Sequence, residues 1–508
     1  MVMVSERLFA LAVSWLAVQA RAAENEGLKF SPSNEEDTRI VETFGKDFLW
    51  SSATAAYQVE GAWNEGGRQK SIWDVFSQTS GRTYDNETGD VADDFYHRYA
   101  DDIQTLRSHG FNAFRYSISW SRIFPLGAGG QRAANPVGVE FYKNVTRNLL
   151  ENGITPILTL FHWDLPEDLD WLDPKVVTEY LKYVDFVFET FPEVKHWTTF
   201  NEPWTFCSQG YESGTSAPGR VSSYEKFSCG HHVLLAHAQA VELYREKYLA
   251  KNQGTIGIVL NYDWTFPLNA SDPLDLKAVQ CSTDFALGWW ADPVHFGDYP
   301  ACMKERLGDH LPKFTEQEKA LLKGSVIGPY LMNTYGARYT TWDPSQLEGH
   351  RPSFTDLSGN LIGPQADSPW LHVVPVGIRK HLEYVNQRYK PDGIIVTENG
   401  CDVPNEDSMP LGQALKDSFR VNFFRSYLAE AAKAVRESGV PLKGYIAWSL
   451  LDNFEWSDGY AKRFGLTYVN YTTQQRYPKA SANWFRDMIA AGRFPPAHGA
   501  EHPSTVWV

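Results

Sequence analysis

Two glutamates stand at the ends of short, β-rich apolar runs: Glu202 directly follows the run 196–201, and Glu398 lies near the end of the run 393–399. Carboxyls brought together from two such ends can divide a reaction between them. One attacks carbon as an anion, and the other gives its proton to a departing oxygen. That is the two-carboxylate layout needed to cleave a glycosidic bond. Other run ends carry Gln58, Arg115, His162, Asn201, Asn333, Tyr335, Asn399 and Trp448. Alone, a strand-terminal Asn or Glu is most often a loop hydrogen-bonder. Here the conjunction matters, because seven run ends would converge on one mouth.

Other catalytic machinery is missing from the sequence. There is no Gly-x-Ser-x-Gly elbow, no His-Glu-x-x-His pair and no Gly-x-x-x-x-Gly-Lys phosphate loop. His231, His232 and His237 read as packing or surface histidines, so no metal and no cofactor is expected. Five cysteines, Cys207, Cys229, Cys281, Cys302 and Cys401, leave at least one free or paired between chains. Cys207 with Cys229 is the favoured bridge, since both fall in one loop-rich stretch.

The elements that must position such a site follow from the pattern of apolar residues. Eight β-rich runs, 48–58, 112–119, 155–161, 196–201, 255–261, 330–335, 393–399 and 443–450, alternate with longer stretches, among them predicted helices over 91–109 and 417–438. Ile394-Ile395-Val396 is apolar on both faces, as a strand covered inside and outside must be. The alternation predicts an α/β fold, a (β/α)8 TIM barrel, with its site where the strands end. A doubly wound open sheet would normally carry a glycine-rich loop after its first strand, and residues 50–58 contain no glycine.

Composition agrees with a large folded domain. The 508 residues are 43% hydrophobic, and 47 basic against 62 acidic residues leave a formal charge of −15, which argues against a nucleic-acid partner. An apolar run at 8–18, preceded by Arg7 and followed by Ala20-Arg21-Ala22, reads as a secretory signal over 1–23, ahead of one catalytic domain over 24–508. The run is too short to span a bilayer, and no later segment is long and apolar enough. The expected address is the secretory lumen or outside the cell. There the sequons at Asn86, Asn144, Asn269 and Asn470 become candidate glycan acceptors.

Five longer motifs now stand out. Phe48-Leu49-Trp50-Ser51-Ser52-Ala53-Thr54-Ala55-Ala56-Tyr57-Gln58-Val59-Glu60-Gly61-Ala62 resembles the N-terminal motif of glycoside hydrolase family 1, the β-glucosidase family. The same family is resembled by Phe161-His162-Trp163-Asp164-Leu165-Pro166, Thr199-Phe200-Asn201-Glu202-Pro203, Val396-Thr397-Glu398-Asn399-Gly400, and the stretch from Ala447-Trp448 through Glu455-Trp456. The resemblance runs over residues 44–487 and implies a (β/α)8 barrel with retaining, exo-acting β-glycosidase activity on a small glucoside or oligosaccharide. It implies Glu202 as acid/base and Glu398 as nucleophile, with Arg115 and Tyr335 supporting Glu398. Sugar-binding roles are implied for Gln58, His162, Asn201, Asn333, Trp448, Glu455 and Trp456.

Retention asks that the carboxyls lie about 5 to 5.5 Å apart and that only one be ionised when substrate arrives. Arg115 and Tyr335 would stabilise Glu398 as an anion, and its charge would keep Glu202 protonated. Trp448 would floor the sugar site or serve as a core tryptophan beneath the rim. Pro329 departs from the family pattern and is expected to make the sixth strand irregular. By the family pattern, Glu202 argues against thioglucosides and Glu455 against 6-phosphosugars. Residues around Trp370 and in 213–227 are expected to shape aglycone choice. Two alternatives stay open at this point: a transglucosidase using the same intermediate, and an inactive sugar- or receptor-binding barrel.

Overall fold

The computed structural model describes residues 42–127 and 129–495, so the apolar run at 8–18 and its cleavage region lie outside the described residues. Thirteen strands are formed among the described residues: β1 (Leu49–Ala53), β2 (Ala113–Ser117), β3 (Thr155–Phe161), β4 (His196–Asn201), β5 (Thr255–Asn261), β6 (Trp264–Pro267), β7 (Tyr330–Asn333), β8 (Ala337–Trp342), β9 (His350–Ser353), β10 (Ile394–Asn399), β11 (Leu442–Ala447), β12 (Thr467–Asn470) and β13 (Gln475–Pro478). Eight of them close a barrel in the order β1, β11, β10, β7, β5, β4, β3, β2, every pair parallel. The fold is a (β/α)8 barrel, with two additions: a β12–β13 hairpin and a β6–β8–β9 sheet.

Helices cover the barrel because each has one apolar face. Pro136–Glu151 opens on a proline, whose missing N–H costs nothing there, and buries Phe141, Tyr142, Val145 and Leu149 at helical spacing. Ser418–Ser438 ends at Gly439, whose φ of 63° suits a residue without Cβ. The helix predicted over 91–109 starts later, at Phe95, because Asp94 takes a left-handed φ of 54° and breaks the turn before it.

Two strand expectations needed correction. The run 48–58 is not one strand: it leaves the sheet after Ala53, where the Ala56 amide donates to the Ser117 hydroxyl at 2.7 Å, and Gln58 falls on the short helix Ala56–Val59. The sixth barrel strand keeps its pairing along its own four residues, and the irregularity expected there falls on its pairing with β10, which shifts register between Val396 and Glu398. Pro329 lies just before the strand, Gly328 turns at φ 102°, and β7 then pairs with β5 and β10 on its two sides.

Register shifts gather at the mouth. On β10, Val396 pairs with Met332 but Glu398 with Asn333, and on β4 the pairing with β5 slips between Thr198 and Asn201. An extra residue at a strand end re-aims the side chains that follow, and such irregularities favour barrel rims. Below them, a fully buried charge cluster ties the loops after β10 and β11 together. Arg420 meets Glu406 at 2.5 Å and Asp417 at 2.6 Å, while Lys479 meets Glu406 at 2.5 Å and Asp452 at 2.7 Å.

Cys207 and Cys229 are bonded (S–S 2.07 Å), although both sit on helices, Pro203–Tyr211 and Glu225–Lys247, rather than in a loop. A second bridge, Cys281 to Cys302, had no sequence signal, and Cys401 is a buried free thiol. The three histidines of the long helix face separate partners: His231 meets the Tyr299 hydroxyl, His232 the Trp171 carbonyl, and His237 both Thr199 and the Ser325 carbonyl.

Gly400 follows the strand that carries Glu398, and a Cβ there would lie 1.9 Å from the Trp448 carbonyl oxygen. The obstacle is backbone on both sides, so it cannot be moved by a rotamer change. Gly400→Ala is expected to destabilise the fold by about 3 kcal/mol, measured as a lower urea midpoint at unchanged slope.

Candidate active site

Glu398 ends β10 and is 4% exposed. Arg115, from the middle of β2, donates through one guanidinium nitrogen to Glu398 Oε1 at 2.5 Å, and the Tyr335 hydroxyl donates to Oε2 at 2.7 Å. Burial with Glu398 as second cause keeps the Tyr335 phenol far above its ordinary pKa, so it stays a donor. The other guanidinium nitrogen of Arg115 donates to Asn201 Oδ1 at 2.6 Å. Asn333 donates to that same oxygen at 3.2 Å and to Glu202 Oε1 at 2.7 Å. An unbroken run of hydrogen bonds therefore links the two glutamates through Arg115, Asn201 and Asn333.

Glu202 follows β4 in a left-handed conformation, φ 47°, and heads the helix Pro203–Tyr211. A non-glycine residue held there is strained, and the hydrogen bond its backbone N–H donates to the Val259 carbonyl at 3.1 Å helps to hold it. Thr205, one turn along the helix, donates to Glu202 Oε2 at 2.8 Å and accepts from Asn261. Burial, and next the charge of Glu398, push the Glu202 carboxyl up to about 8 against the lowering effect of Asn333 and Thr205. So one carboxyl of the pair sits in an ion pair while the other holds its proton at neutral pH.

Both glutamates line one cavity of about 400 Å³, together with His162, Asn201, Asn333, Tyr335, Trp448, Glu455 and Trp456. Because Asn201 Oδ1 is taken by two donors, its amide nitrogen donates to His162 Nε2 at 3.0 Å, which leaves the ring proton on Nδ1. Burial and then the Arg115 charge hold His162 well below the ordinary imidazole range, so it is neutral. Trp448 is both things the sequence left open, 3% exposed and part of the cavity wall. Trp456 packs against Trp73 and Trp163 and lies nearly parallel to the His162 ring. Burial, then Asp458, Asp402 and Glu398, push Glu455 well above the usual carboxyl range.

Arg115 and Gln58 stand one layer back from the cavity wall. Gln58 is fully buried, and its amide nitrogen donates to Asn453, to the Phe454 carbonyl and to Glu455 at 3.3 Å. In this arrangement it positions the loop that carries Glu455.

The sequence profile of the family described as Glycosyl hydrolase family 1 matches residues 40–494. The chain belongs to that family. It is 46% identical over 476 residues to Beta-glucosidase 1B of Phanerodontia chrysosporium, covering 90% of this chain and 86% of that protein. It superposes on β-glucosidase 2 of Trichoderma reesei, solved in complex with Tris, with a TM-score of 0.85 and 43% identity, covering 88% of this chain and 99% of the other. A rice β-glucosidase mutant in a covalent complex with Glc gives 0.84 at 40% identity, covering 88% and 98%.

This glycoside hydrolase also uses residues that strand-end reasoning passed over. Asp263, two positions beyond β5, accepts from the amides of Tyr335 and Gly336 at 2.8 and 2.9 Å and pairs with Arg338. With Tyr427 donating to the Tyr335 carbonyl at 2.7 Å, it fixes the backbone from which the phenol reaches Glu398. Searching two residues past each strand end would have found Asp263. No local signal marks Arg338, Glu348 or His350, because the β6–β8–β9 sheet brings them in.

The raised Glu202 value makes stability depend on pH. Its folded-state value exceeds the unfolded one, so its contribution is complete below the unfolded pKa of roughly 4.3 and is gone once pH passes about 8. Thermal melting of wild type against Glu202→Gln should show the difference in Tm shifting against wild type from pH 4.5 towards 8 and then levelling off.

Proposed function

We propose that this family member is a retaining, exo-acting β-D-glucosidase that hydrolyses terminal non-reducing β-glucosyl residues of cellobiose-like oligosaccharides and of aryl or alkyl glucosides, with room for β-fucosides and β-galactosides. The observation that carries the reading is the unequal state of the two glutamates on one cavity: Glu398 in an ion pair with Arg115, Glu202 protonated to about pH 8. Relatives named β-glucosidases support glucose as the sugar, and the rice complex with covalent Glc supports a covalent intermediate.

In the first half-reaction the Glu398 carboxylate attacks the anomeric carbon, the glycosidic C–O bond breaks, and Glu202 passes its proton to the leaving oxygen. Glu398 is then an uncharged ester. The charge that helped to keep Glu202 protonated has gone, so Glu202, now ionised, takes a proton from water as the water attacks the anomeric carbon. Glucose leaves with its β configuration, and both carboxyls return to their starting states. Asn201, beside the acid/base, is placed to bond the sugar 2-hydroxyl, whose interaction strengthens as positive charge develops on the ring. Trp448 offers a flat face to the sugar's C–H bonds. A carboxyl at Glu455 disfavours a 6-phosphate, and an acid at Glu202 disfavours thioglycoside specialisation.

The secretory address belongs to the same proposal. It rests on the run at 8–18, on the two disulfides, and on the exposed Asn86, which ends a short 3-10 helix, and Asn269, on a bend. Asn144 lies half-buried within the helix Pro136–Glu151, and Asn470 closes β12, so both present less room for a glycan.

Azide separates the two roles. Glu398→Gly should lose roughly 10⁴-fold or more in kcat and, with azide and dinitrophenyl β-glucoside, yield α-glucosyl azide. Glu202→Ala should lose about 10²–10⁴-fold on poor leaving groups, little on dinitrophenyl glucoside, and yield the β-azide. Identical azide products from both variants, or initial release of α-glucose from wild type by NMR, would remove the retaining assignment.

A further inference from the structure

The cavity does not end at the sugar-binding residues. Its deep end holds His162, Asn201 and Trp448, all under one-tenth exposed, whereas its outer end reaches Trp370, which is 43% exposed. Between them, one side of the wall comes from the added sheet. Thr265 of β6 and Arg338 of β8 are register partners, and Arg338, Glu348 and His350 all line the cavity with them.

That side is built from charges already locked in place. Glu348 accepts from the buried Lys226 at 2.8 Å and meets His350 Nε2 at 3.3 Å. Burial pushes its carboxyl up, yet Lys226 and His350 outweigh that and bring it down to about 2, so it remains an ionised acceptor. Lys226 is shared with Glu212 at 2.7 Å, and His350 Nδ1 meets the Thr340 hydroxyl, which fixes the far side of the cluster. Arg338 differs. Among the described residues its side chain pairs with Asp263 at 3.3 Å, and it is 32% exposed and lines the cavity. Most of its five donors are therefore unspent. Trp370 and Phe464 also line the cavity with their rings nearly parallel at 13°, and of the two it is Trp370 that is exposed.

We propose that Arg338, with the Glu348–His350 pair beside it, is the specificity-determining wall that selects a second sugar, rather than a flat apolar group, as the aglycone. A sugar ring has C–H faces that stack on an aromatic surface and a rim of hydroxyls that both donate and accept. A donor, Arg338, and an acceptor, Glu348, on one cavity wall match that rim. An apolar aglycone of the same size would displace water from Arg338 and leave it unpaired, an unmade hydrogen bond that weakens binding. Charges of both signs on the wall, Arg338 paired with Asp263 and Glu348 held from behind by the buried Lys226, also favour a neutral polyol over an anion. The inference rests on the β-glucosidase reading and adds the class of leaving group to it.

The test compares kcat/KM for cellobiose and for 4-nitrophenyl β-glucoside in wild type, Arg338→Met, Arg338→Lys and His350→Ala, with Tm recorded for each. Arg338→Met is expected to lower cellobiose cleavage 10- to 100-fold, chiefly through KM, while nitrophenyl glucoside stays within about twofold. Arg338→Lys should recover part of the loss, and His350→Ala should reproduce it in smaller degree. An equal fall on both substrates at unchanged Tm would assign Arg338 to holding Asp263 and Tyr335, and would overturn the proposal. So would unchanged cellobiose cleavage, or a wild-type preference for a carboxylate-bearing aryl glucoside that Arg338→Met abolishes. Should Arg338→Met fail to fold, His350→Ala decides between the same outcomes. Wild type that cleaves nitrophenyl glucoside but no disaccharide overturns the wall and leaves the glucosidase reading standing; wild type that cleaves neither overturns both.

Discussion

A carboxylate buried at the end of β10 can exist only because Arg115 and Tyr335 meet both of its oxygens. Their geometry is rigid: the guanidinium is a planar fork, and the phenol has few rotatable bonds and a backbone pinned by Asp263 and Tyr427. The charge so held does more than await a substrate. It acts across the cavity on Glu202, where it adds to the effect of burial and keeps that carboxyl protonated. That charge works with burial to set the state of the second group, and its loss on forming a covalent ester would help to release that group to change role.

Placement depends on how the strands end. Register shifts on β4 and β10 and the left-handed backbone of Glu202 turn side chains into the mouth that an ideal alternation would direct elsewhere. These irregularities persist because surrounding structure overdetermines them. Gly400 lets the Trp448 carbonyl close in, Thr205 and Asn261 hold the Glu202 carboxyl, and the buried Arg420 and Lys479 network fastens the loops that follow β10 and β11. A barrel with eight covered strands tolerates such local strain, since most of its stabilisation comes from apolar burial away from the mouth.

The outer part of the cavity obeys different rules. Its wall comes from β6, β8 and β9, which lie outside the barrel, and from loops that carry Trp370 and Phe464. They join the barrel through Asp263 after β5 and through the Tyr335–Gly336 turn between β7 and β8, where the Asp263 carboxylate accepts from both turn amides. On the proposed reading, leaving-group choice belongs to this added layer, which meets the catalytic layer at Asp263 and Tyr335.

Local pattern determined the strands, the helices that cover them and the residue types at the strand ends, because alternation and helical spacing are properties of consecutive residues. It placed Glu202, Glu398, His162, Asn201 and Trp448 in one mouth once a barrel was assumed. It missed the early end of β1 before Gln58, the Cys281–Cys302 bridge, Asp263 and the wall of Arg338, Glu348 and His350. Each depends on contacts between segments far apart in the chain, which no window of neighbouring residues encodes. Only closure of the barrel brings Arg115 from β2 against Glu398 on β10 and lets the charge of one glutamate reach the other. The amino-acid order supplied two identical carboxyl groups; their unequal protonation arises from burial and neighbours, which exist only in the folded chain.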